Sequence, residues 1–217
     1  MDALILPEQL LLLAFYEEKA NTLNTSLGFG LSGAVLAELL VQGKIERKGI
    51  NLVPRSDVAS DDEILDPAFA ILTASERQRS ARYWVNHLYP QMLRLRPKLL
   101  DRLSGKGYLT ESGTRIFGVF PHRSYRLADV HGPLALKDEL RQVLFEPFAP
   151  TARQVALIGL MKPAGLNIFT REERGAARAR ISEMLRSDPI SKAVSQAVAE
   201  MAGTAAAVIA CAAAASA

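Results

Sequence analysis

The run "GFGLSGAVLAELLVQGKIE" at 28–46 constrains this chain most, because three different structures claim its glycines. Residues 28–33 spell G-x-G-x-x-G, the pattern of a dinucleotide-binding turn, and "GLSGA" is one residue short of the G-x-S-x-G elbow of a serine hydrolase. A dinucleotide turn needs a buried strand ending at its first glycine, so that the phosphates meet a helix N-terminus. Here the apolar run "LLLLAF" at 10–15 is separated from Gly28 by the polar stretch "YEEKANTLNTSL". The elbow fails at its fifth position, where Ala34 carries a Cβ that close packing excludes. What remains is a helix. Leu31, Val35, Leu39 and Leu40 share one face, Gly43 ends it, and Gly30, Gly33 and Ala34 are small enough to admit a neighbouring helix.

With the enzyme motifs gone, composition sets the class. The 217 residues are 49% hydrophobic and 23% charged, as in a globular domain, and the net charge is only +3. Any basic surface must therefore come from local clustering. The lone cysteine, Cys211, excludes an internal disulfide and suits a reducing compartment. The start "MDALILPEQ" has no basic n-region, so no secretory signal is expected. The uncharged stretch "MAGTAAAVIACAAAASA" at 201–217 is weakly apolar and barely long enough to span a bilayer, and it reads as the end or tail of an Ala-rich helix after a domain over 1–200.

Along the chain, Pro7 opens a first helix, and a second runs from after Asn24 to Gln42. "KIERKGINLVPRSD" is a hairpin around Lys48-Gly49. Asp61 or Asp62 caps "EILDPAFAILTA", Ser75 caps "ERQRSARYWVNHLY", and "PQMLRLRPKLLDRL" is helical with a kink or restart at Pro97. "GYLTESGTRIFGVFPHRSYRL" is a second hairpin, and the remainder is helical. The expected fold is mainly α: a compact helical domain with two short hairpins near 44–56 and 108–127, the second projecting. Leu36, Leu39, Gly43 and Ile45 recur at the same spacing as Leu100, Leu103, Gly107 and Leu109. Each set is a helix that ends at glycine and enters a hairpin, a unit that also resembles the end of a winged helix.

No metal, cofactor or catalytic constellation emerges. His87, His122 and His131 lie in separate segments without ligand spacing, and the scattered carboxylates read as caps and solvated faces. Basic clusters are more informative. "RLRPKLLDR" places Arg94, Arg96, Lys98 and Arg102 within nine residues with only Asp101 nearby, whereas the Arg171, Arg174 and Arg178 stripe is interleaved with Glu172 and Glu173. Guanidinium forks match phosphate oxygens, so the first cluster is the candidate anion site. In "TRIFGVF", Ile116 and Phe120 face one side of a strand and Phe117 and Val119 the other. A strand that is apolar on both faces buries both, here against a partner subunit or a bilayer.

The blocks "LLLLAFYEEKANTL", "LSGAVLAELLVQGKIE", "LLDRLSGKGYLTE" and "ARQVALIGLMKPAGL" resemble, in order, those of the Golgi phosphoprotein 3 family over about residues 7–200. The resemblance implies a compact helical fold with a projecting hairpin and no enzymatic activity. It also implies a peripheral membrane protein that binds phosphatidylinositol 4-phosphate and acts as an adaptor for the tails of membrane enzymes. In the family the headgroup pocket uses a tryptophan and an arginine around the second helix, and two arginines on the helix before the second hairpin. Those positions fall on Leu23, Ser32, Leu93 (with Arg94 adjacent) and Arg96 here, so one pocket arginine of three is kept and the aromatic is lost. Trp84 matches a different, core tryptophan.

These departures, with the Ala- and Arg-rich composition, suggest a bacterial member with little preference for that one lipid. The expected partner is an anionic membrane surface met from the cytoplasmic side. Arg94, Arg96 and Lys98 supply charge, Leu23 and Ser32 line the pocket, and Phe117, Val119 and Phe120 insert or hold a homo-oligomer. The alternative is a winged-helix-like DNA-binding protein, disfavoured because neither helix before the glycines has a dense polar face for reading base edges.

Overall fold

Leu27 to Leu39 are buried without interruption, which leaves the second helix no solvent face and makes it the axis of the fold. The computed structural model describes residues 4–20, 25–55, 61–116, 120–147 and 149–184. Within them the order is α1 (Leu6–Tyr16), α2 (Thr25–Val41), β1 (Ile45–Lys48), β2 (Asn51–Pro54), α3 (Asp66–Thr73), β3 (Arg79–Ser80), α4 (Ala81–Gly105), β4 (Leu109–Ile116), β5 (Phe120–Leu127), α5 (His131–Phe145), α6 (Ala152–Met161) and α7 (Glu173–Met184). α1, α4 and α6 pack around α2, and every strand pairing is antiparallel. The chain is mainly α with two hairpins, as expected from its periodicity. The C-terminal stretch from 201, Cys211 included, lies outside the described residues.

The glycines of the opening motif lie inside α2. A Cβ on Gly30 would come within 2.5 Å of the Ala164 Cβ, and one on Gly28 within 2.5 Å of the Tyr89 ring, which stacks on Phe29 at 4.4 Å. They are contact glycines, and no strand precedes them in the described chain.

The weak repeat corresponds to real geometry. After α2, Lys44 N–H donates to Leu39 O (2.9 Å) and Gly43 N–H to Leu40 O (3.0 Å); after α4, Tyr108 N–H donates to Leu103 O (2.9 Å) and Gly107 N–H to Ser104 O (2.9 Å). Both are Schellman ends, and both glycines take left-handed backbone, φ +68° and +80°. α1 ends with the same bonding, from Lys19 and Glu18 to Ala14 and Phe15, but its left-handed residue is Glu18 at φ +56°.

Two expectations need correction. Ser80, not Ser75, caps α4, its hydroxyl accepting from Tyr83 N–H at 3.3 Å. The helix starts late because Arg79 and Ser80 form a third strand on β2, opposite Leu52 and Asn51. Nor does α4 restart at Pro97: it runs through both Pro90 and Pro97. Those prolines are seven residues apart, two full turns, so they share one face, and that face is exposed. The carbonyls they orphan are therefore left beside water, which satisfies them. As for α3, the Asp62 carboxylate accepts from Ile64 and Leu65 N–H in the turn just before it.

Among the described residues two carboxylates, Glu8 and Glu38, are fully buried, against the expectation of solvated faces though in keeping with that of caps. Both hold the N-terminus of α1. Glu8 accepts from Ile5 N–H at 2.9 Å and Glu38 from Leu6 N–H at 2.9 Å. Lys106 and Arg102 neutralise Glu8 at 2.9 and 3.2 Å, and Arg153 grips Glu38 with two bonds of 2.5 and 2.7 Å. The α1 N-terminus can be buried because its orphan donors meet these charges.

Candidate functional site

α4 exposes one stripe and buries another, and this divides the "RLRPK" cluster. Trp84, Leu88, Met92, Leu95, Leu99 and Leu103 face the core. Successive helical residues are about 100° apart, so Arg94 and Lys98 lie together while Arg96 turns to the far flank. Arg94 is exposed beside the solvent-facing Leu93, and Lys98 reaches Glu63 at 4.0 Å. Arg96 is partly buried and donates through Nη2 to the Ala20 carbonyl. Its Nε is buried with no hydrogen-bond partner among the described residues. Burial pushes this guanidinium below its ordinary value, partly offset by Tyr125, yet it stays charged near neutrality.

Arg96 opens into a cleft of about 300 Å³ between α4, the end of α1 and the root of the second hairpin. Phe15, Ser112, Arg123, Ser124, Tyr125 and Arg126 complete its lining. β4 and β5 pair from Leu109↔Leu127 to Ile116↔Phe120, which brings the β5 residues 123–126 opposite Arg96. The buried Tyr125 donates its hydroxyl to Asp101 at 2.9 Å. Arg123, exposed, is 3.3 Å from Glu111 and 3.5 Å from Asp101. Hydrogen bonding to Tyr125, then the charges around it, hold the Arg123 guanidinium above its ordinary value. Arg126 is exposed and makes no ion pair among the described residues. Such a cleft can receive an anion.

The other expected positions are placed differently. Ser32 is fully buried and donates its hydroxyl to the Gly28 carbonyl at 3.1 Å, turned back onto its own helix. It faces no solvent, so the position of the family's pocket arginine on the second helix offers nothing to a headgroup. Leu23, Phe117 and Val119 lie outside the described residues, and of Phe120 the structure gives only its backbone pairing with Ile116. The Arg178 side chain also lies outside them. Trp84 is 2% exposed, a core residue.

Set beside known proteins, the chain matches the family model Golgi phosphoprotein 3 (GPP34) over residues 6–201. It belongs to the Golgi phosphoprotein 3 family. No curated protein matches it. In this Golgi phosphoprotein 3 relative no helix among the described residues is long and apolar enough to cross a membrane.

Sequence reasoning missed Arg123 and Arg126 as site residues. Their signal was present in "HRSYRL", an aromatic between two arginines on a strand, but the apolar flank of the same hairpin drew the functional reading. It missed the buried carboxylates too. Glu38 sits inside the apolar run "AVLAELLV", where a solvated carboxylate has no place.

Proposed function

We propose that this Golgi phosphoprotein 3 relative is a non-enzymatic peripheral membrane protein that binds anionic, phosphoinositide-like lipid headgroups in the Arg96 cleft on the cytoplasmic side of a membrane. The carrying observation is that cleft, with three arginines around a space of about 300 Å³ and a buried guanidinium nitrogen without a partner among the described residues. Arg94 and Lys98, on the other side of α4, add charge for a surface rather than for a pocket. Phe117, Val119 and Phe120 provide apolar insertion or hold a second copy, and family membership supports an adaptor role toward membrane-enzyme tails. A groove-reading role on nucleic acid is disfavoured because α2, the helix before the first glycine, has no free face.

Liposome co-sedimentation tests this. Binding should rise with the fraction of anionic lipid and fall with salt, since exposed charges are screened within about 8 Å at physiological ionic strength. Each basic residue at an anionic surface contributes about 1 kcal/mol, so Arg96→Ala should weaken binding about fivefold. Arg180→Ala, which breaks a pair with Glu183 on α7, should leave it unchanged. With the pocket tryptophan and one arginine replaced by Leu23 and Ser32, phosphatidylinositol 4-phosphate should bind little better than other lipids of similar charge. Phe117→Asp with Phe120→Asp should release the folded protein from vesicles or shift it toward monomer. Equal binding to neutral and anionic vesicles sinks the proposal.

A further inference from the structure

We propose that β5 builds the second wall of the headgroup site, with Arg126 and Arg123 binding a phosphate monoester opposite Arg96, and with Asp101 and Glu111 setting the charge a ligand must carry. This rests on the headgroup reading of the Arg96 cleft and goes beyond it by naming residues and a ligand class.

The four charged groups besides Arg96 are not equivalent. Arg126 is free of ion pairs among the described residues and lines the cleft. Arg123 lines it as well but is held by two carboxylates, Glu111 at 3.3 Å and Asp101 at 3.5 Å. Asp101 is also the acceptor for the Tyr125 hydroxyl, so one carboxylate on α4 orders two side chains of β5. Three arginines against two carboxylates leave a formal charge of one plus.

A phosphodiester headgroup carries a single negative charge, which this excess already matches without drawing Arg123 from its acids. A phosphate monoester carries about −1.5 to −2 and presents three terminal oxygens. It can accept from Arg96 and Arg126 and still compete for Arg123, because charge-assisted forks to phosphate are the strong class of hydrogen bond. The two carboxylates therefore act as a threshold: their field opposes every anion, and they hold Arg123 from any ligand that does not outcompete them. The cleft is at the small end of ligand-sized pockets, which suits a headgroup and excludes acyl chains.

The test uses the full chain on phosphatidylcholine vesicles that contain, at equal mole fraction, either phosphatidic acid or phosphatidylglycerol, with glycerol phosphate as a soluble competitor. Wild type should prefer phosphatidic acid by about tenfold, the worth of one further charge-assisted contact. Arg126→Ala and Arg123→Ala should each remove most of that preference. Arg123→Lys keeps the positive charge but lacks the fork, so it should lose most of the preference for phosphatidic acid. Asp101→Asn retains an acceptor for Tyr125, removes the charge and loosens Arg123, so it should strengthen binding to both lipids. Circular dichroism checks that each variant is folded. Displacement by glycerol phosphate assigns recognition to the phosphate itself, free or lipid-borne; a persistent ratio without displacement assigns it to the lipid, and either supports the site. Salt-sensitive anionic binding whose ratio is absent, or unmoved by the three arginine variants, overturns this inference alone. No binding to any anionic vesicle overturns both it and the headgroup reading.

Discussion

Substituting Gly30 and Gly105 by alanine makes the same chemical change in two helices and should move stability in opposite directions. In a helix interior, Gly→Ala gains up to about 1 kcal/mol, through propensity and a less flexible unfolded chain. At Gly105, in the last turn of α4, the added Cβ meets nothing within 4 Å, so that gain stands nearly whole. At Gly30 the Cβ would lie 2.5 Å from the Ala164 Cβ, 3.1 Å from its Cα and 3.3 Å from Leu10 Cδ2. The Ala164 Cα is backbone and its Cβ is fixed rigidly to it, so neither can rotate away, and α2 and the turn after α6 must separate. Overpacking of this kind costs about 1–3 kcal/mol, occasionally more, and offsets the propensity gain to leave a net loss of about 1–2 kcal/mol. In a domain of this size each kcal/mol moves Tm by about 2–4 °C. Thermal and urea unfolding should show Gly30→Ala lowered by several degrees and Gly105→Ala slightly raised. A Gly30→Ala protein as stable as wild type would refute the close-approach explanation of the "GFGLSG" motif.

Glu38→Ala should cost about 3 kcal/mol in urea unfolding, because it removes the buried acceptor of the Leu6 N–H and the partner of the partly buried Arg153. Adding Arg153→Met should recover part of the loss, since much of the penalty belongs to the unpaired partner. Glu18→Gly should stabilise by about 1 kcal/mol, because φ +56° suits glycine and strains any side chain, and a fall in Tm would contradict this. At the start of α7, Glu173 accepts from Thr170 N–H at 2.9 Å and pairs with Arg141. The backbone bond, ahead of Arg141, holds its carboxyl below the ordinary 4.5. Its stabilisation is therefore complete above that value and lost as pH falls through the lowered folded value. Proteolysis within α7 should accelerate over that acid range in wild type and lose this pH dependence in Glu173→Gln.

Helices were readable wherever a three-to-four residue apolar period met a glycine stop, as at Gly43 and Gly107. Those are local signals, and local hydrogen bonds satisfy them. The start of α4 was not, because Ser75 and Ser80 are equally good caps. What decides between them is the pairing of Arg79 and Ser80 with β2, nearly thirty residues away in sequence. The unbroken passage through Pro97 was hidden for a similar reason: tolerance of a proline depends on which face meets water. For the site, Arg96 could be singled out from its cluster, but its separation from Arg94 and Lys98 required the helix to be drawn as a cylinder. Arg123 and Arg126 join it only through the register of β4 on β5, which no spacing encodes.

α4 buries one stripe from Ala81 to Leu103 against α2, α1 and β4, and Arg96 stands on the flank of that same stripe. Opening the turn around Arg96 would pull Met92, Leu95 and Leu99 out of the interior. Its amides should therefore exchange with solvent only when the entire domain unfolds. Breathing is closed to this side of the cleft. The opposite side is a two-stranded ribbon, an arrangement with little stability of its own, on which Arg123 and Arg126 stand exposed. The cleft thus has one fixed wall and, facing it, a more compliant one.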